Sequence, residues 1–191
     1  MMIRESIAIT ANADGTPHIA PIGVIVEPDA LVIAPFRPSV TLDNLAARGA
    51  ATVNYTDDVR VFAGCLTGRR DWPVAPAARV GPPRLAGALA HEEVEVFDRI
   101  DDPQRPRLRC RVVHRATHAP FSGFNRAQAA VVEAAILVSR LHLLPREKIA
   151  REMEYLSIAV AKTAGDRERE AWGWLVAHIA AFDREKQRQV S

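Results

Sequence analysis

The chain has 191 residues, 48% apolar and 25% charged, an ordinary globular balance that allows one sizeable core or one domain with an appendage. Lysine and arginine number 25 against 23 acidic residues, and a formal charge of +2 argues against an electrostatic footprint for nucleic acid or an anionic membrane. No apolar run approaches the ~20 residues that span a bilayer, and the first residues lack the regions of a signal peptide, so a cytoplasmic location is expected.

Residues 6–11 and 18–26 read as two apolar-rich strands joined by Asn12, Ala13, Asp14 and Gly15, the clearest hairpin signal in the chain, so the fold begins antiparallel. Pro21 has no N–H to give a ladder, which puts it on an edge or at a bulge, and Gly23 leaves room for something to approach the backbone. An edge beside a pocket can offer main-chain donors and acceptors to a ligand. Residues 31–34 make a third short strand, ended by Pro35. The loop that follows carries Arg37, Ser39 and Thr41 and leads into a short helix over 41–48. Leu42, Leu45 and Ala46 have helical spacing there, and Gly49 stands where a left-handed C-terminal residue is wanted. First-turn N–H groups, two hydroxyls and a guanidinium are the donors that a phosphate ester uses at a helix N-terminus; an ordinary N-cap beside a surface arginine is the plainer reading. Residues 50–55 form a buried strand that closes on Asn54, Thr56, Asp57 and Asp58, polar groups that cap the next helix or line a pocket.

A short helix over 59–66 is weakened by Gly64 and Gly68, and the proline-rich stretch 69–83 reads as an extended excursion, a lid or a dimer arm. Residues 85–98 and 108–118 form a long hairpin about Asp101, Asp102 and Pro103. Arg107, Arg109 and Arg111 alternate with apolar residues on its second strand and are expected to face Glu93 and Glu95 across the ladder. His114 and His118 would stand roughly 13 Å apart on that strand, and Cys65 and Cys110 are far apart in sequence, so no metal site is expected. From residue 125 the period turns helical, over 125–144, 146–163 and 167–188, with Pro145 and Gly165 as punctuation. Arg126, Glu133 and Arg140 recur every seven residues as a solvated stripe or an Arg–Glu–Arg network; a sharper reading sets Phe124, Asn125 and Arg126 against a ligand. The expected organisation is α+β: an antiparallel β domain over 1–120 and a three-helix extension over 121–191. Dinucleotide and P-loop fingerprints and the hydrolase nucleophile elbow are absent.

In order, DGTPHIAPIGV, APFRPSVTLDNL and ATVNYTDD resemble the FMN-binding split-barrel superfamily, which includes flavin reductases and pyridoxamine-phosphate-oxidase-like proteins. More closely, the chain looks like an uncharacterised family in which such a barrel precedes a helical extension opening FNRAQAAVVEAAI, here residues 124–136. That resemblance implies FMN bound near the interface of a homodimer. Ser39 and Thr41 would hold the phosphate with Arg37, while His18, Ala20, Pro21, Ile22 and Gly23 flank the isoalloxazine and Asn54 and Asp57 close the far side. A flavin-dependent oxidoreductase acting on a small molecule is the implied function, with no side chain evident as its acid or base. A carrier, sensor or assembly partner without turnover, or a binder of a deazaflavin or pterin, fits the same residues.

Overall fold

The computed structural model describes residues 1–190, with side chains through residue 188. Its elements are β1 (Met2–Ala11), β2 (Pro17–Val26), β3 (Leu31–Ile33), α1 (Val40–Arg48), β4 (Ala50–Tyr55), α2 (Arg60–Leu66), β5 (Val74–Ala75), β6 (Arg84–Leu85), β7 (Ala90–Ile100), β8 (Arg107–Thr117), α3 (Arg126–Ser139), α4 (Arg146–Thr163) and α5 (Asp166–Val190). They fall into two compact units, Met1–Asp57 with Asp71–Phe121, and Asp58–Arg70 with the chain from Ser122 onward. Helix α2 thus groups with the C-terminal helices, although it lies between two barrel segments in sequence.

The first unit is a closed antiparallel barrel of six strands in the order β1-β2-β3-β8-β7-β4. Asn12 to Gly15 make the first hairpin turn as expected, with Gly15 at φ 87° and its N–H bonded to Asn12 O at 2.9 Å. Alternation along the strands directs Val24, Leu31, Ile33, Ala51, Val53, Val94, Leu108 and Cys110 into one core, which Leu42 and Leu45 of α1 complete. Burial there pushes the Cys110 thiol up to about 12, leaving it protonated and inert. On the other face of β4 and β7, Thr52, Asn54, His91 and Glu93 lie side by side, Thr52 opposite Glu93 and Asn54 opposite His91. Residues 78–85 bond to that face: Thr52 Oγ1 donates to Pro83 O at 2.7 Å, and Leu85 N donates to Asn54 Oδ1 at 2.8 Å.

In the second unit α2 packs on α3 and α5, and Ala127, Ala130 and Val160 form the α3–α4 seam with Leu156 and Trp172. The first long helix is shorter than its apolar pattern predicts. It ends at Ser139, the chain then turns over 140–144, and Pro145 keeps the residue before it out of helical geometry. Arg126, Glu133 and Arg140 are all exposed, so the heptad stripe is a solvated face. Among the described residues, no helix is long and apolar enough to cross a membrane.

Candidate functional site

Strand β2 pairs with β1 along its whole length, but only Ile25 and Val26 pair with β3. Residues 17–24 therefore present one edge to which no strand is hydrogen-bonded among the described residues. Pro21 is tolerated there because that edge requires no ladder donor. His18, Ala20, Pro21, Ile22 and Gly23 are each half-buried, neither core nor open surface. At Gly23 a Cβ would meet the side chains of the neighbouring strand, Ile3 Cγ2 at 2.8 Å and Glu5 Oε1 at 3.3 Å, so β1 already crowds that position.

Helix α1 packs against the same two strands. Its last turns are pinned to the hairpin end, where Asn44 Nδ2 donates to Thr10 Oγ1 and Asn12 Oδ1, both at 3.0 Å, and Arg48 donates to Ala13 O at 2.8 Å. The first turn stands at the opposite end, where the chain arrives from β3. Ser39 is the N-cap, extended at φ −158°, and its hydroxyl oxygen accepts from Leu42 N at 3.1 Å. The first helical bond is Asp43 N to Ser39 O at 3.1 Å, so the N–H groups of Val40 and Thr41 have no acceptor within the helix. Ser39 is half-buried and Thr41 buried. Arg37 donates to Asp101 at 2.6 Å in an exposed ion pair of the kind worth about 0–1 kcal/mol, which a dianion can displace.

Two amides expected at a ligand are engaged within the protein instead. Asn54 is fully buried; its Nδ2 donates to Ile7 O at 3.0 Å and Thr52 Oγ1 at 3.1 Å while its Oδ1 accepts from Leu85 N, so the amide is a tie among β1, β4 and β6 with both N–H donors used. Asn125 is the N-cap of α3, accepting from Ala127 N at 2.8 Å and donating to Thr163 O at 3.0 Å. Arg126, beside it, is exposed on the second unit. Asp57 is half-buried at the end of the first barrel segment.

Two family models match, one described as the N-terminal domain of a protein of unknown function, DUF447, over residues 4–119, the other as DUF447 over residues 125–177. The chain belongs to the DUF447 family. An FMN-bound DUF447 protein from Methanosarcina mazei is similar over 92% of this chain and 94% of its own, at 21% identity and a TM-score of 0.80. The 2-nitrobenzoate 2-nitroreductase of Pseudomonas fluorescens covers 60% of this chain and 64% of its own (22% identity, TM-score 0.52). The styrene monooxygenase flavin reductase of Pseudomonas putida S12 covers 60% and 81% (20% identity, TM-score 0.51). At these identities the likenesses establish the split-barrel fold. No curated protein matches the chain.

This DUF447 chain also carries a polar cluster that its sequence conceals. Arg111 stands opposite Glu95 across the ladder, as expected, but Arg107 and Arg109 pair instead with Glu27 at 3.3 and 3.1 Å. Glu93, fully buried, instead accepts from the N–H groups of Ala78 at 2.7 Å, Arg79 at 2.6 Å and Val80 at 3.0 Å. Burial pushes its carboxyl up, but those three bonds and His91 outweigh burial and hold it below the ordinary carboxylate value. His91 lies 3.2 Å from Glu93 Oε1 through Nε2 and 2.9 Å from His118 Nε2 through Nδ1. His114 stands directly opposite Glu93 on β8. The one signal in the sequence was spacing: His91 and Glu93 stand two apart on a strand and so share a face.

Proposed function

We propose that this DUF447 chain binds FMN and works as a homodimeric flavin-dependent oxidoreductase on a small molecule. The observation that carries the reading is the edge of β2 to which no strand is hydrogen-bonded among the described residues, half-buried over residues 18–23 apart from the core residue Ile19, on the same unit as an α1 first turn whose N–H groups lack helical acceptors. A flat, largely apolar ring with polar edges suits such an edge, and a phosphate suits such a helix start. When bound, FMN supplies the redox chemistry. Ser39, Thr41 and Arg37 would hold its phosphate, and the main chain of residues 18–23 would orient the ring. The FMN-bound family member and the flavin reductase among the structural neighbours support this assignment.

Gently purified protein should be yellow, with the visible flavin bands and one extractable FMN per chain. A colourless protein that takes up no added FMN would remove the proposal. Steady-state oxidation of reduced nicotinamide with an added acceptor distinguishes turnover from a carrier role.

The dimer rests on apolar surface. Ile3, Phe36, Val40, Phe97 and Ile100 are large side chains left exposed on the barrel unit, and a second copy would cover such groups. Sedimentation should show a dimer at micromolar concentration; a monomer that still holds flavin would mean that one chain completes the site.

A further inference from the structure

We propose that His91, Glu93 and His114 form a binding site for a divalent transition-metal ion of the zinc type. One ligand atom from each, two imidazole nitrogens and a carboxylate oxygen, lie within 4.8 Å of one another, and two of the three residues are buried. The strand geometry accounts for the gathering. His91 and Glu93 are two apart on β7 and so share a face, and His114 sits across from Glu93 on β8.

Zinc bonds to nitrogen at about 2.0–2.1 Å and to carboxylate oxygen at about 2.0–2.2 Å, so two tetrahedral ligands stand roughly 3.3 Å apart. His91 Nε2 and Glu93 Oε1 are already 3.2 Å apart. An ion inserted between them replaces one hydrogen bond and moves neither group far. His114 is half-buried at the rim, its ring centroid 5.9 Å from that of His91, so a small rotation brings its nitrogen to the ion.

The surroundings are those of a fixed ligand set. Three backbone N–H groups hold the Glu93 carboxylate in place. With the ion on Nε2, the His91 proton resides on Nδ1 and is donated to His118 Nε2, 2.9 Å away, the orienting bond that metal-bound histidines usually make. That bond fixes the tautomers of both rings. Two nitrogens and one carboxylate with a fourth position open is the donor set of zinc sites that keep an exchangeable ligand. None of these residues is among those assigned to the flavin, so the two proposals stand or fall separately.

The test uses the full chain, stripped by a chelator and titrated with zinc chloride in competition with a chromophoric chelator. One zinc per chain is expected, with cobalt in its place giving the intense visible bands of four-coordinate geometry. His114→Ala and His114→Gln, both at the rim of the site, should each weaken zinc at least 100-fold while keeping the far-UV circular dichroism of the parent. Absence of stoichiometric zinc in the parent, or a folded His114 variant that binds as tightly as the parent, would overturn the site.

Discussion

Replacing Glu93 by alanine should lower the free energy of unfolding by about 3–5 kcal/mol, the usual result when one partner of a buried charged network is removed. The buried carboxylate accepts from the backbone of Ala78, Arg79 and Val80 and stands against His91, so its loss leaves three part-buried N–H groups and the imidazole without their acceptor. Glutamine keeps the volume but turns an N–H₂ toward those donors, and should recover less than half of the loss. Urea denaturation of both variants measures this. The pH dependence has a definite sign. A carboxylate held below its ordinary value adds stability above that value and gives it up as pH falls, because the unfolded chain binds the proton first. Parent stability should therefore decline from about pH 5 downward more steeply than that of Glu93→Gln. Parallel curves would show that Glu93 is not the charged anchor described.

The Ser39→Ala, Thr41→Ala double variant should weaken FMN by about 100-fold or more and riboflavin by only a few-fold. A phosphate monoester carries about −1.5 to −2 charges near neutral pH, and a hydrogen bond to a charged group contributes about 1.5–3 kcal/mol. The Ser39 hydroxyl accepts from Leu42 N and keeps its own proton to donate. Its removal also takes away the α1 cap, worth about 0.5–2 kcal/mol, so affinities are compared on protein shown to be folded. Equal losses for the two ligands, or none, would move the phosphate elsewhere.

The strands and the α1 helix were legible because their signals are local. Asn12 to Gly15 turn where turn residues must, Pro21 marks an edge, and Ser39 and Gly49 bracket a helix with a capped start and a left-handed end. The barrel-plus-helices fold followed from that pattern and from the family resemblance. What sequence hid was register. The turn between β7 and β8 is longer than Asp101 to Pro103, and Phe97 on one strand and Val113 on the other are extra residues at irregularities. Small slips of this kind exchange which side chains face each other, so Glu93 meets His114 where an arginine was expected. The fate of Asn54 was hidden for a related reason: its partner Leu85 lies on β6, just past the proline-rich excursion, whose docking has no periodic signature.

Helix α2 leaves the ribosome long before the helices it packs against. Val61, Phe62, Ala63 and Cys65 are buried in the finished protein, within the unit completed by α3 and α5, yet the whole of β7 and β8 is synthesised in between. Until residue 126 and beyond emerge, that apolar turn has none of its final partners on the helical side. The nascent chain thus carries an apolar segment whose helical partners do not yet exist, and the helical unit can complete its folding only once α3 and α5 have been made.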